Sequence, residues 1–211
     1  MKKVSSENQF SFSLPMKPLL IILSGPSGAG KDALLTRMKE LGYSLGYITT
    51  VTTRAKREKE INGADYHFTS TAKFQELIAN NELLEWAKVY DNWYGVPRQP
   101  VKQALDRGQD TIVKVDTQGA TTIKKILPEA VSIFVIPPSM EELITRLKQR
   151  RTESPFDLAL RIKTAEEEIK QLPLFDYVIV NKQDEIDLAV SRIKAIITAE
   201  KCRVNPRQIN L

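Results

Sequence analysis

A seven-residue segment, Gly25-Pro26-Ser27-Gly28-Ala29-Gly30-Lys31, constrains this chain more than anything else in it. It matches G-x-x-x-x-G-K, a loop whose backbone N–H groups cradle phosphates while its lysine reaches the terminal ones. The bare pattern would arise by chance in about 5% of chains this long at average Gly and Lys usage, so its setting carries the argument. It follows the apolar run Leu19-Leu20-Ile21-Ile22-Leu23 and precedes residues Ala33 to Leu41, where Leu34, Leu35, Met38 and Leu41 share a helical face and Gly42 supplies a stop. In a strand, loop and helix of this kind the helix N-terminus adds its own attraction for anions. Residues Gly25, Pro26, Ser27, Gly28, Ala29, Gly30 and Lys31 are therefore the expected binders of nucleotide phosphate.

Three further short runs rich in β-branched residues, Thr111–Val115, Val131–Ile136 and Tyr177–Val180, read as buried parallel strands. Helical patterns separate them. Ser139 stands three residues before Glu142, a capping-box spacing that predicts a helix from there toward Arg151. Two more helices are expected around Asp157 to Gln171 and Asp184 to Glu200. This order implies an α/β fold of the P-loop type, a central parallel sheet covered by helices, with ligands outside the carboxyl ends of the strands.

Residues 48 to 98 break the rhythm. Tyr66-His67-Phe68 alternates like a strand, Ser70 or Thr71 can cap a helix carrying Phe74, Leu77 and Ile78, and aromatics gather at Trp86, Tyr90, Trp93 and Tyr94. A mixed insertion at the mouth of a parallel sheet is a natural place for a second substrate. Arg54 and Arg57, with Glu60 beyond, supply planar forks suited to a phosphate monoester, and Tyr66 and Tyr94 can add hydroxyl donors.

At 211 residues the chain suits one domain. Its core is expected at about 18–49, 99–140 and 162–200, with an insertion at about 50–98, a lid at about 141–161, and flexible tails at 1–16 and 201–211. The opening segment lacks the apolar stretch of a secretory signal and no run approaches membrane-spanning length, so a cytoplasmic protein without membrane partners is expected. One cysteine, Cys202, excludes an intrachain disulfide, and with one histidine, His67, no Cys/His zinc cluster is available. No permanently bound metal is expected. The net charge of +5 suits polyanionic nucleotide substrates; no groove-reading motif or basic stripe supports nucleic acid. Nothing in the residues speaks to oligomeric state.

Where the loop pattern asks for Ser or Thr to hold Mg²⁺, this chain has Asp32. A carboxylate beside phosphates is repelled unless a cation intervenes. Asp32 is either a metal-side ligand or a first-turn acid favoured by the helix dipole.

From Leu19 to Glu200 the chain resembles the guanylate kinase family, on GPSGAGK, TTRAKREKEINGADYHF, NNELLEWAKVYDNWYG, VDTQGA, PPSMEELITRLKQRRTES and FDYVIVN. A P-loop alone leaves many enzyme types open; this set narrows them to one. The resemblance implies transfer of the γ-phosphoryl group of MgATP to GMP or dGMP, with Mg²⁺ arriving as MgATP. It implies that Arg54, Arg57, Glu60, Tyr66 and Tyr94 surround the GMP phosphate. Glu85 matches the guanine reader, an acceptor for N1–H and the N2 amino group, and Thr50 and Asp116 match further guanine-side positions. Arginines matching Arg146, Arg150 and Arg161 belong to a lid that closes over the transferring group, where positioning and exclusion of water do most of the work. Lys31, Arg54 and these three arginines are the expected catalytic residues, and Asn181 matches an adenine-side position.

Three departures stand out. Val96 occupies a place where the family commonly has Ser or Thr, and valine cannot donate to guanine O6. Lys114 replaces an acid on the strand before Asp116, while Asp32 replaces the loop hydroxyl, two changes of opposite sign. Either Asp32 contacts Mg²⁺ or its waters while Lys114 supplies fixed positive charge, in place of a bound monovalent cation, or the two form a plain salt bridge. Competing readings are a kinase for a phosphorylated sugar, which has no use for Glu85, Tyr94 and Asp116, and a guanylate-kinase-like scaffold module, which has no use for Lys31.

Overall fold

A computed structural model describes residues 16–58, 60–89, 91–149 and 155–211. Among these, five strands form a parallel sheet in the order β2-β7-β1-β8-β9, from Gly46–Ile48, Thr111–Lys114, Leu20–Ser24, Val131–Ile136 and Tyr177–Val180. Every residue of central strand β1 is buried. Its alternation divides the core in two. Leu19, Ile21 and Leu23 face Leu34 and Met38 of helix α1 (Lys31–Glu40) and Ala189, Val190 and Ile193 of α7 (Ile186–Lys201). Leu20 and Ile22 face Val101 and Leu105 of α3 (Arg98–Asp106) and Ala120 and Ile123 of α4 (Thr117–Ile126). Each fully buried aliphatic side chain contributes roughly 1.5–3 kcal/mol.

The insertion carries its own sheet, ordered β4-β3-β6-β5, from His67–Phe68, Val51–Thr52, Asn92–Pro97 and Leu83–Val89. The antiparallel β5–β6 hairpin and helix α2 (Thr71–Ala79) enclose Phe74, stacked on Trp93 with ring centroids 6.0 Å apart. Ser70 is the cap of α2, its Oγ accepting from the Lys73 N–H at 3.2 Å. Tyr66 lies just outside β4, and Tyr90 outside the described residues.

Helices α5 (Met140–Lys148) and α6 (Pro155–Ile169) bury Leu143, Leu147 and Ala165 against one another. Ser139 caps α5 through the Glu142 N–H at 3.2 Å, but the Glu142 carboxylate pairs with Arg146. The α5 helix runs toward Arg151 as far as Lys148, and α1 starts two residues early, at Lys31 itself. Helices α3 and α4 and strand β2 were not anticipated. Val101, Ala104 and Leu105 form a short apolar face on α3, a pattern that the preceding prolines mask.

The segment 201–211, expected as a flexible tail, makes contacts with the body of the protein. Arg207 makes a bidentate pair with Glu200 at 2.8 and 2.9 Å, Tyr177 donates to the same carboxylate at 2.6 Å, and Ile209 and Leu211 pack on the second core cluster. Residues 1–15 lie outside the described set. No helix among the described residues is long and apolar enough to cross a membrane.

Candidate active site

The loop from Gly25 to Gly30 turns where β1 ends, at the carboxyl edge of the sheet. Two of its glycines are obligatory. Gly25 and Gly30 have φ of 136° and 91°, and a Cβ on them would meet the Val135 carbonyl oxygen at 2.1 Å and Asn181 Nδ2 at 2.2 Å. The Lys31 ammonium curls back to the carbonyls of Gly25 and Pro26, the latter at 3.1 Å. Burial pulls its pKa down against the opposing pull of Glu168 and Asp32.

A cavity of about 390 Å³ runs from this loop to the insertion. It brings together Gly25, Ser27, Gly28, Gly30, Lys31 and Asp32 on one side, and Thr50, Arg54, Arg57, Tyr66, Glu85 and Tyr94 on the other, with Asp116 and Arg161 between. Arg161 Nη1 reaches Ser27 Oγ at 3.2 Å. Pro26 and Ala29 are outside this lining; Ala29 is fully buried.

Asn181, Arg146 and Glu60 are likewise outside this lining. Asn181, also buried, donates from Nδ2 to the Ala29 carbonyl at 2.8 Å, bracing the loop from behind. Arg146 donates to the Asn181 carbonyl at 2.8 Å and to Ala29 at 3.4 Å, and is paired with Glu142. Glu60 holds the arginines: Arg54 grips its carboxylate at 2.7 and 3.1 Å, and the Arg57 N–H donates to it at 2.8 Å. Arg150 lies outside the described residues.

Glu85 is 4% exposed, and its Oε2 has no hydrogen-bond partner. Burial, then the nearby Asp116 carboxylate, push its pKa up to about 8, with the Val96 N–H pulling the other way. An unpaired buried acceptor of this kind costs stability unless a ligand supplies donors. Asp116 caps α4 through the Gly119 N–H at 2.8 Å, and burial raises its pKa too. Thr50 Oγ1 donates to the Lys114 carbonyl at 3.2 Å, tying the start of the insertion to the end of β7. Val96 is fully buried in the second core cluster.

Among the charged residues of this lining, Glu168 escaped the sequence reading. Glu168 on α6 faces Lys31 and the Ser27 amide; burial lifts its pKa to about 7, though Lys31 lowers it. It closes the run Glu166-Glu167-Glu168, which reads as a solvated face. Its spacing from Arg161 and buried Ala165, at i, i+4 and i+7, was the available signal. Asp32 is paired with Lys114, and no cluster of three or more His, Cys, Asp or Glu able to hold a metal occurs among the described residues.

The family model for guanylate kinase matches residues 17–200. The chain is 44% identical over 193 residues to the guanylate kinase of Caldanaerobacter subterraneus, covering 92% of this chain and 93% of that one. It is 41% identical over 198 residues to the chloroplastic/mitochondrial guanylate kinase 2 of rice, covering 93% of this chain and 70% of the rice protein. The crystal structure of guanylate kinase from Anaplasma phagocytophilum superposes with a TM-score of 0.73 at 34% identity, covering 90% of each chain.

Proposed function

This chain belongs to the guanylate kinase family, and from that premise we propose that its main cleft moves the γ-phosphoryl group of MgATP to GMP, or to dGMP, giving ADP and GDP or dGDP. The observation that carries the reading is the cavity joining the phosphate loop to Arg54, Arg57 and the Glu85 carboxylate, whose Oε2 is unpartnered. Donor phosphates and a guanine-reading acceptor pocket share one volume.

The loop amides and the Lys31 ammonium bind the ATP phosphates; Lys31 exchanges the Gly25 and Pro26 carbonyls for phosphate oxygens. Mg²⁺ enters with ATP. Arg54 and Arg57 take the GMP phosphate, oriented by Glu60 and joined by the hydroxyls of Tyr66 and Tyr94. Glu85 and Asp116 accept from guanine N1–H and the N2 amino group, with Thr50 alongside. Residues 50–98 serve as the acceptor-binding insertion and 141–161 as the lid. Arg161 neutralises charge on the transferring group, while Arg146 and Asn181 hold the loop in shape.

ADP formation measured over GMP, dGMP, IMP, AMP, UMP and ribose bisphosphate tests this. Turnover is expected with GMP and dGMP. Absence of ADP with GMP would sink the reading, and turnover confined to ribose bisphosphate would replace it with the sugar-phosphate kinase.

A further inference from the structure

Lys114 and Asp32 depart from the family pattern in opposite senses, and the fold puts them in contact. Asp32 is in the first turn of α1, directly after Lys31; Lys114 ends β7. Both line the main cavity, and Lys114 Nζ is hydrogen bonded to Asp32 Oδ1. The lysine side chain is 11% exposed and the aspartate 67%. The ammonium also sits 4.1 Å from the centroid of the Tyr66 ring, on the acceptor side of the cleft. The pair therefore touches both halves of the site.

Its electrostatic consequence follows from position. A carboxylate one residue beyond Lys31 faces whatever phosphates the loop holds, and like charges at such range repel strongly in a partly desolvated cleft. The ammonium is the nearest available compensation, and burial against Tyr66 keeps it in place. A simple strand-to-helix tether needs neither a place in the cavity lining nor a contact across the cleft.

We propose that Lys114 is a positioning residue that neutralises Asp32 and so keeps a phosphate loop with aspartate after its lysine competent for ATP. The proposal rests on the cleft being the ATP and GMP site. It predicts compensation rather than independent contributions.

The experiment is a double-mutant cycle with Lys114→Met and Asp32→Asn, read as KM for MgATP, KM for GMP and kcat, with thermal unfolding alongside. Lys114→Met leaves an uncompensated carboxylate and is expected to raise the ATP KM about 10- to 100-fold, with a smaller change for GMP. Asp32→Asn alone shifts it less than about 3-fold, and adding it to Lys114→Met restores the ATP KM to within about 3-fold of the unmodified enzyme. Lys114→Arg keeps the charge and a near-normal KM. Effects of the two substitutions that simply multiply, a double variant no better than Lys114→Met, or a loss of thermal stability with an unmoved ATP KM would each overturn the proposal. If Lys114→Met folds poorly, Lys114→Gln closes the same cycle. Equilibrium binding of a fluorescent ATP analogue repeats the comparison without an acceptor. Failure of the proposal is thus separable from failure of GMP turnover.

Discussion

A Cβ on Gly119 would lie 2.7 Å from Oε2 of Glu85, so the first turn of α4 and the carboxylate on β5 are fitted to each other. The missing side chain leaves room for the Glu85 carboxylate. Gly119→Ala is expected to push the carboxylate aside and raise the GMP KM about 10-fold, because a small misplacement of a positioning group is costly. Alanine favours a helix by up to about 1 kcal/mol over glycine, so thermal stability should hold and the ATP KM should not move. An unchanged GMP KM would show that Glu85 is not placed by this contact.

On the proposed reading, Glu85 makes GMP binding pH-dependent. With its pKa at about 8, the empty pocket is largely protonated at neutrality, whereas guanine donors favour the carboxylate. GMP binding should release a proton near pH 7, and the GMP KM should fall as pH rises from 6 to 8. The GMP phosphate titrates in that range as well, so the informative quantity is the difference from Glu85→Gln, which should flatten part of the slope and raise the KM about 10- to 100-fold. Stability has the opposite sign. A folded pKa above the ordinary value of 4.5 means the native state binds the extra proton, so stability falls as pH climbs from 4.5 toward 8, and Glu85→Gln removes that fall.

Glu168 stands on the phosphate-loop side of the cleft, beside Lys31. Burial holds its pKa at about 7 beside Lys31, so above neutrality a second carboxylate opposes phosphates entering the loop. At saturating Mg²⁺ the KM for MgATP should rise between pH 6 and 8. Glu168→Gln should abolish that rise and lower the KM at pH 8 by about 3- to 10-fold. Steady-state kinetics of the two enzymes across this range decide it, and an identical slope in the variant would rule Glu168 out as the cause.

The contacts of the C-terminal segment predict a contribution to stability. Arg207→Ala removes the bidentate partner of Glu200, whose side chain is 1% exposed, but leaves Tyr177 on the carboxylate. A loss of about 2 kcal/mol is expected in denaturant unfolding, below the cost of fully orphaning a buried charge, with kcat and both KM values unchanged. Chiefly through Arg207, the Glu200 pKa lies below its ordinary 4.5. Its contribution is therefore present above pH 4.5 and lost as pH falls through the folded value, so the two proteins should converge in strong acid.

Much of the site was legible because it is written in local chemistry. Glycines that must adopt positive φ, a lysine beside them, and paired arginines near tyrosines each announce a function through residue type and spacing. Arg54, Arg57, Tyr66 and Tyr94 are read from such chemistry, whereas Thr50, Glu85, Asp116 and Arg161 follow only from the resemblance to the family; all eight line one cavity. Glu60, Asn181 and Arg146 were named as well, but their hydrogen bonds go to other protein groups. Which partner a polar side chain takes depends on residues distant in the chain: Asn181 meets Ala29 across 152 positions. Glu168 was missed because two neighbouring glutamates gave it the look of a solvated face, and only the packing of α6 under the loop turns it inward.

The sequence by itself determined phosphate binding and the kind of sheet: short β-branched runs are too brief for helices, and a glycine loop between strand and helix has few uses other than phosphate; the reaction class came with the resemblance to the family. It also marked Asp32 and Lys114 as a pair of opposite departures. Tertiary structure decided what those residues do. Residues 82 positions apart meet only because β7 lies beside β1 in the parallel sheet, and the charge that each feels is set by the burial and neighbours that this adjacency creates. The same holds for Glu85, whose identity is local but whose unpaired oxygen and raised pKa arise from β5, β6 and α4 closing around it.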